Sequence, residues 1–235
     1  MKNYFLILLF FIVLNFSKVD AQSSQLWLDY MAYPIQDLSW DYEVNVGYNR
    51  LLSEGGWSDV YINNTVTFQK LWWLLFDGSL ELHYTYDPQY LNSFEIRPWI
   101  MTTARWNTEG EHLNLYKPFI AVLFEYRQIF YDGDTPNEQK MRIRTRLGGR
   151  ITINNKTMAV RTFYVPFRLE LFFDLNGSAT ERFANKSRIM LGLGYIFNNA
   201  VRAEFVYYVN SFRNTYEDKF DATDNIFSLI VRHTL

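Results

Sequence analysis

The chain has 235 residues, 23 Lys plus Arg against 25 Asp plus Glu, a formal net charge of −2 and no cysteine. That length suits one domain, and the near-neutral charge argues against a nucleic-acid binder, which would carry a basic excess. The absence of cysteine excludes disulfide scaffolds, thiolate metal sites and thiol catalysis.

The first element reads as an export signal. Met1 and Lys2 form a short basic start, Tyr4 to Phe16 is apolar except for Asn15, and Val19-Asp20-Ala21 places suitable residues ahead of a cleavage point at Gln22. The apolar run is shorter than the roughly 20 residues of a spanning helix. We expect residues 1–21 to be removed and residues 22–235 to form one exported domain.

From Leu38 onward, apolar and polar residues alternate. Leu38, Trp40, Tyr42, Val44, Val46 and Tyr48 interleave with Ser39, Asp41, Glu43, Asn45, Gly47 and Asn49. Met141, Ile143, Thr145 and Leu147 interleave with Arg142, Arg144 and Arg146, and Val201, Ala203, Phe205 and Tyr207 with Arg202 and Glu204. Period two marks strands with one apolar face. The predicted strands are 25–34, 38–52, 58–70, 75–87, 93–105, 117–130, 140–152, 159–174, 186–197, 200–213 and 225–235. Most are longer than the five or six residues usual in soluble sheets and match the roughly 9–11 that a membrane barrel needs. The expected fold is therefore all-β, an antiparallel transmembrane up-and-down β-barrel. A bacterial single-chain barrel has an even strand number, so ten strands are expected, with 25–34 outside the wall and twelve as the alternative. Asn154-Asn155 and Asn198-Asn199-Ala200 look like tight turns. Tyr131–Gln139, Asp174–Ala184 and Arg213–Asp224 are longer polar stretches, which predicts short periplasmic turns on one rim and long outer loops on the other.

Aromatic residues make up 19% of the chain. Tyr and Trp suit a bilayer interface, so Trp27, Tyr30, Tyr33, Trp40, Tyr48, Trp57, Trp73, Tyr86, Trp106, Tyr195 and Tyr207 are expected in girdles near strand ends. The inward faces carry both charge signs. Residues i and i+2 of a strand share a face, so Glu95 with Arg97, Glu125 with Arg127, and Arg142 with Arg144 line one wall. Together with Arg168, Glu170 and Arg188 they are expected to interlock as ion pairs and leave a narrow, mostly occluded bore. Such a lattice fills the bore and fixes register. The functional alternative is an anion-selective constriction or a site for an acidic ligand.

Phe94-Glu-Ile-Arg-Pro-Trp99, Phe124-Glu-Tyr-Arg127, Met141-Arg-Ile-Arg144, Leu169-Glu-Leu-Phe172 and Ser187-Arg-Ile-Met-Leu-Gly-Leu-Gly-Tyr195 occur in that order. In this the chain resembles the exported β-barrel proteins of Bacteroidota grouped as domain of unknown function 2490. The resemblance runs from about Trp27 to the end and implies an outer-membrane barrel of no established activity, so no catalytic role is carried over. It places the chain in the cell outer membrane, with lipid, lipopolysaccharide and the barrel-assembly machinery as partners.

The residues offer little chemistry beyond this. His83 shares a face with Ser79 and Glu81, but Ser79 is about 13 Å away by strand rise, too far for a serine–histidine pair. His112 falls in a connection, and His233 on the apolar face of the last strand. No phosphate loop, esterase motif or metal-ligand cluster is present, and no cofactor is expected. A structural or small-solute transport role is the leading reading. The alternatives are a lipid-modifying enzyme of phospholipase or acyltransferase type and a soluble periplasmic β-sandwich that binds a ligand.

Overall fold

Long alternating segments joined by short connections pair most simply with their sequence neighbours, and they do so here. In a computed structural model, which describes residues 23–37, 39–53, 56–106, 115–176, 186–214 and 219–235, eleven strands follow in order. They are β1 (Ser23–Gln36), β2 (Trp40–Leu51), β3 (Ser58–Leu71), β4 (Leu74–Tyr86), β5 (Ser93–Arg105), β6 (Leu115–Tyr131), β7 (Glu138–Thr152), β8 (Phe163–Asp174), β9 (Lys186–Ile196), β10 (Val201–Asn214) and β11 (Lys219–Thr234). Each strand pairs antiparallel with the next, and β1 pairs with β11, so the sheet closes on itself. It is one closed barrel, and the two-sheet sandwich does not form. The export segment lies outside the described residues.

The strand number corrects the expectation of ten. Residues 25–34 are not outside the wall; they belong to β1, the strand that closes it. With eleven strands the first and last run the same way, so closure requires a parallel pair. That pair is unbroken from Ser23 opposite Asp224 to Tyr33 opposite Thr234. The even-number rule rests on closure by an antiparallel pair, and a parallel seam removes the requirement.

We call the end where β1 begins the N rim and the end where β11 finishes the C rim. Two connections differ from the sequence expectation. Asn154-Asn155 is not a tight turn, because β7 stops at Thr152 and β8 starts only at Phe163. Side chains pin the segment between them. Asn154 accepts from the Phe163 N–H at 2.8 Å and donates to the Arg161 carbonyl at 2.8 Å, and Asn155 donates to the Thr162 hydroxyl at 2.6 Å. The polar stretch 213–224 is mostly strand, since β10 runs to Asn214 and β11 begins at Lys219. Polar composition at a strand end does not stop pairing while a partner strand continues beside it. The rims consequently differ less in loop length than expected. The C rim combines short links at residues 37–39, 72–73 and 197–200 with the longer segment 153–162.

Period two sorts the two faces of the wall. Outward lie exposed apolar side chains on every side, among them Tyr30, Val46, Val60, Ile62, Phe68, Leu80, Phe94, Ile100, Val122, Leu147, Leu169, Leu193, Phe205 and Leu229. Inward lie most of the charges, together with one apolar cluster of Met190, Val206, Tyr208, Ile226 and Ile230 on β9–β11, against which Trp27 and Met31 of β1 pack. Trp40, Trp73 and Trp106 are exposed at C-rim strand ends, and Tyr86 at the N rim. Trp27, Tyr33 and Trp57 depart from the girdle expectation and line interior cavities instead. Trp27 shares the inward face of Asp29 and Met31, and its ring lies 5.5 Å from Tyr208.

Two inward glycines give tyrosine rings room to cross the wall. A Cβ at Gly47 would sit 2.1 Å from the Tyr61 ring, and one at Gly194 would sit 2.3 Å from Tyr164. Each tyrosine stands directly opposite its glycine and reaches over it to a carboxylate on the strand beyond: Tyr61 to Asp29, and Tyr164 to Glu204 at 2.7 Å. A glycine in a strand interior is tolerated where another group approaches this closely.

The parallel seam is directly testable because the chain has no cysteine of its own. Leu28 and Leu229 are register partners across β1 and β11 and both point outward. Opposed strand residues fall within the Cα separation that a disulfide spans. The L28C/L229C double variant should form an intramolecular disulfide on oxidation, seen as a mobility shift on a non-reducing gel. Cross-linking only between molecules would contradict the seam.

Candidate functional site in the barrel lumen

Adjacent strands place inward residues of opposite charge face to face, and the lumen is built from these pairings. Glu170 of β8 stands opposite Arg146 on β7 and opposite Arg188 on β9. Its carboxylate lies 2.9 Å from Arg146 Nε, 3.0 Å from Arg168 Nε and 3.6 Å from Arg188 Nη1. Glu125 of β6 stands opposite Arg142; it accepts from Arg142 Nε at 2.7 Å and also pairs with Arg144. Both glutamate side chains are 1% exposed. Carboxylates this fully enclosed keep their charge only when charged donors replace the lost water, and here two or three guanidinium groups serve each one.

The remaining groups extend the lattice in both directions. Glu95 accepts from Arg97 Nε at 2.7 Å and from Arg127 Nε and Nη2 at 2.6 and 2.8 Å. Arg97 also reaches Glu81, its register partner on β4, at 3.5 Å. Glu81 lies 2.7 Å from His83 Nε2, and Asp59 lies 2.9 Å from His83 Nδ1. Tyr61 stacks on the His83 ring with centroids 5.0 Å apart. Both ring nitrogens thus face carboxylates, so the imidazole acts as a cross-link rather than a free base. Toward the C rim, Glu204 accepts from Tyr164 and lies 3.6 Å from Arg232 Nε and 3.9 Å from Arg150 Nε. Phe172 carries cations over its ring: Arg142 at 5.0 Å, Arg144 at 5.1 Å, Arg188 at 5.4 Å and Lys186 at 5.8 Å.

All nine residues singled out by the sequence face the lumen, and their ion pairs run both within and between strands. Glu125 and Arg127 share a face without pairing with each other. Arg127 turns to Glu95 on β5, and Glu125 turns to β7. Strand parity also places Glu81, His83, Arg146, Glu204 and Arg232 inward, and the structure joins them to the lattice together with Asp59 and Arg150, which the sequence reading does not single out. What parity lacks is the register that tells which strands' charges meet.

Among the described residues, two cavities lie between these side chains. The larger is about 720 Å³ and reaches from Trp57 and Asp87 near the N rim down to Arg232. The smaller is about 300 Å³ at the C rim, lined by Tyr33, Met158, Val160, Arg202 and Arg232 among others. Arg232 borders both. It donates to the Tyr33 hydroxyl at 3.0 Å and to Met31 Sδ at 2.7 Å, and so forms part of the partition between them.

Charge is unevenly divided around the larger cavity. From β1 to Asp87, just past β4, its lining holds Asp29, Glu43, Asp59, Asp77, Glu81 and Asp87, with His83 between Asp59 and Glu81 and no Lys or Arg. From β5 to β9 it holds Arg97, Arg127, Arg142, Arg144, Arg146, Arg168, Lys186 and Arg188, with Glu95 and Glu125. In a ring of eleven strands β3 lies across the lumen from β8 and β9, so an acidic wall faces a basic one. Among the described residues no cluster of three or more His, Asp or Glu side chains is arranged to hold a metal ion.

Removing one member of a buried lattice leaves its partners charged and unpaired. The Glu170→Gln change should therefore cost about 3–5 kcal/mol, the range for breaking a buried ion pair. Glu138→Gln touches only solvent-accessible contacts, to Lys140 and to Tyr131, and should change stability by no more than about 1 kcal/mol. Urea unfolding of the refolded variants in micelles checks the contrast. Equal stability of both variants would remove the energetic role given to the lattice.

No curated protein matches the chain. A family model described as protein of unknown function (DUF2490) matches residues 24–221, which takes in every strand of the barrel up to the start of β11. The chain belongs to the DUF2490 family.

Proposed function

We propose that this protein is an outer-membrane β-barrel, exported by residues 1–21, whose charge-lined lumen admits small polar solutes from the N rim and is closed toward the C rim. The observation that carries the proposal is the inversion of the barrel: apolar outside, charged inside. In water an apolar belt around the whole circumference would far exceed the few hundred Å² a soluble monomer exposes. In a bilayer the same belt is the solvated surface. Strand length agrees, since the shortest strand, β9, has 11 residues, enough to cross the hydrocarbon at the tilt of a barrel strand. Closure agrees as well, because no unpaired edge is left to face lipid.

The ion-paired interior supports a filled lumen over an open channel. Barrels of about eight strands are packed with side chains and those of 16–18 hold water-filled channels; eleven strands lined with arginine fall near the packed end. The partition at Arg232 stands across the path between the two cavities.

The mature protein refolded into vesicles should resist extraction at alkaline pH, and planar bilayers containing it should show no conductance steps or only very small ones. Release into the aqueous fraction would contradict the membrane reading. Large, stable steps would contradict the filled lumen. Shortening the partition with Arg232→Ala should raise the conductance at least severalfold, and an unchanged current from folded variant would place the closure elsewhere.

A further inference from the structure

The division of charge across the larger cavity exceeds what bore filling requires. A lattice that only neutralised itself would mix signs on every strand, as Glu125 with Arg142 and Glu170 with Arg188 do. Yet three aspartates on β1–β4 accept from neutral donors, while Glu81 pairs with Arg97 and His83. Asp77 accepts from the Thr67 hydroxyl at 2.6 Å, Asp59 from Asn49 Nδ2 at 3.0 Å with His83 Nδ1 2.9 Å away, and Asp29 from Tyr61. These aspartates border the cavity, and neutral donors satisfy their lone pairs without adding a countercharge. Strands β5–β9 carry eight Lys and Arg in the cavity lining against Glu95 and Glu125 there and Glu170 behind it, so cations remain in excess. A field therefore runs across the lumen, between low-dielectric walls that strengthen it.

We propose that this cavity is a binding site for small zwitterionic solutes of short-peptide size, which lie across the lumen with the carboxylate toward the β7–β9 wall and the ammonium toward the β2–β4 wall. The proposal rests on the lumen being reached from water as described above. A single anion gains from one wall and is repelled by the other, and so does a single cation. A molecule with both charges separated along its length gains from both. The volume, about 720 Å³, lies within the range of small-molecule pockets. A third sector of the lining is apolar, with Met31, Tyr208 and Ile230 beside Trp27, and suits an aliphatic or aromatic side group on the solute. All eleven seams of the wall are paired, so no lateral opening admits a lipid headgroup, and the solute enters along the axis.

The test uses three probes of one scaffold: leucylglycine, which carries both charges; N-acetyl-leucylglycine, which keeps only the carboxylate; and leucylglycinamide, which keeps only the ammonium. Saturation-transfer NMR on the full mature chain, refolded in micelles and checked for β-structure, compares their half-saturation concentrations, with empty micelles as blank. Leucylglycine should saturate at a concentration at least tenfold below either single-charge probe. Asp77→Asn and Lys186→Gln, one from each wall, should each weaken it severalfold while leaving the spectrum of the fold intact. Equal binding of the acetylated probe would overturn the proposal in favour of a plain anion site. No binding by any probe would overturn it outright. Either result leaves the barrel reading standing, because that reading fails only if the protein does not enter vesicles.

Discussion

A carboxylate sealed from both solvent and the cavity stays charged only if cations reach it, and Glu170, which does not line the cavity, is where this constraint is tightest. Its three arginine partners come from its own strand and from both neighbours. Slipping β8 by one residue against β7 would turn Glu170 to the outer face and leave Arg146 without its partner. Glu125 with Arg142, and Glu81 with Arg97, fix the registers of β6–β7 and β4–β5 in the same way. The lattice does for this protein what apolar side-chain packing does for a soluble sandwich.

The same constraint explains how the molecule divides its surfaces. Alternation puts every second residue inside, and long side chains from eleven strands fill most of the bore around the two cavities. Arginine, planar and able to stack, serves this interior better than lysine; Arg188 bridges Glu170 and Asn210 while lying over Trp27, Tyr208 and Phe172. Near the β1–β11 seam, where Asp29 and Arg232 are the lumen-lining charges, Met190, Val206, Ile226 and Ile230 fill much of the interior. The parallel seam is thus backed by apolar packing on its inner side, while the antiparallel seams of the opposite side are tied by ion pairs.

Much of the fold was legible from period two. All eleven strand segments were found, since alternation over a dozen residues is a strong local signal, and inward parity placed every residue of the charge list. Two features escaped for physical reasons. Strand number was misjudged because β1 carries no mark of whether its far edge pairs parallel or antiparallel, a fact decided by a strand two hundred residues away. The Asn154-Asn155 connection was misjudged because its form depends on tertiary bonds to Arg161, Thr162 and Phe163 rather than on local turn preference. At the site, strand order and parity put Glu95 and Arg97, Glu125 and Arg127, and Arg142 and Arg144 on one wall of consecutive strands, and their ion pairs do run between those strands. Register decides which of them meet, and the segregation of charge between facing walls emerges only once the ring is closed.

The account stands on the barrel being inside out within a bilayer, and depth-resolved quenching tests that most directly. Single cysteines at residues 62–67 of β3, in a chain that has none, carry a fluorophore into vesicles whose acyl chains bear nitroxide quenchers. Strong quenching at Ile62, Asn64 and Val66 with weak quenching at Asn63, Thr65 and Thr67 is the predicted result. Equal quenching at all six positions, or none at any, would contradict it.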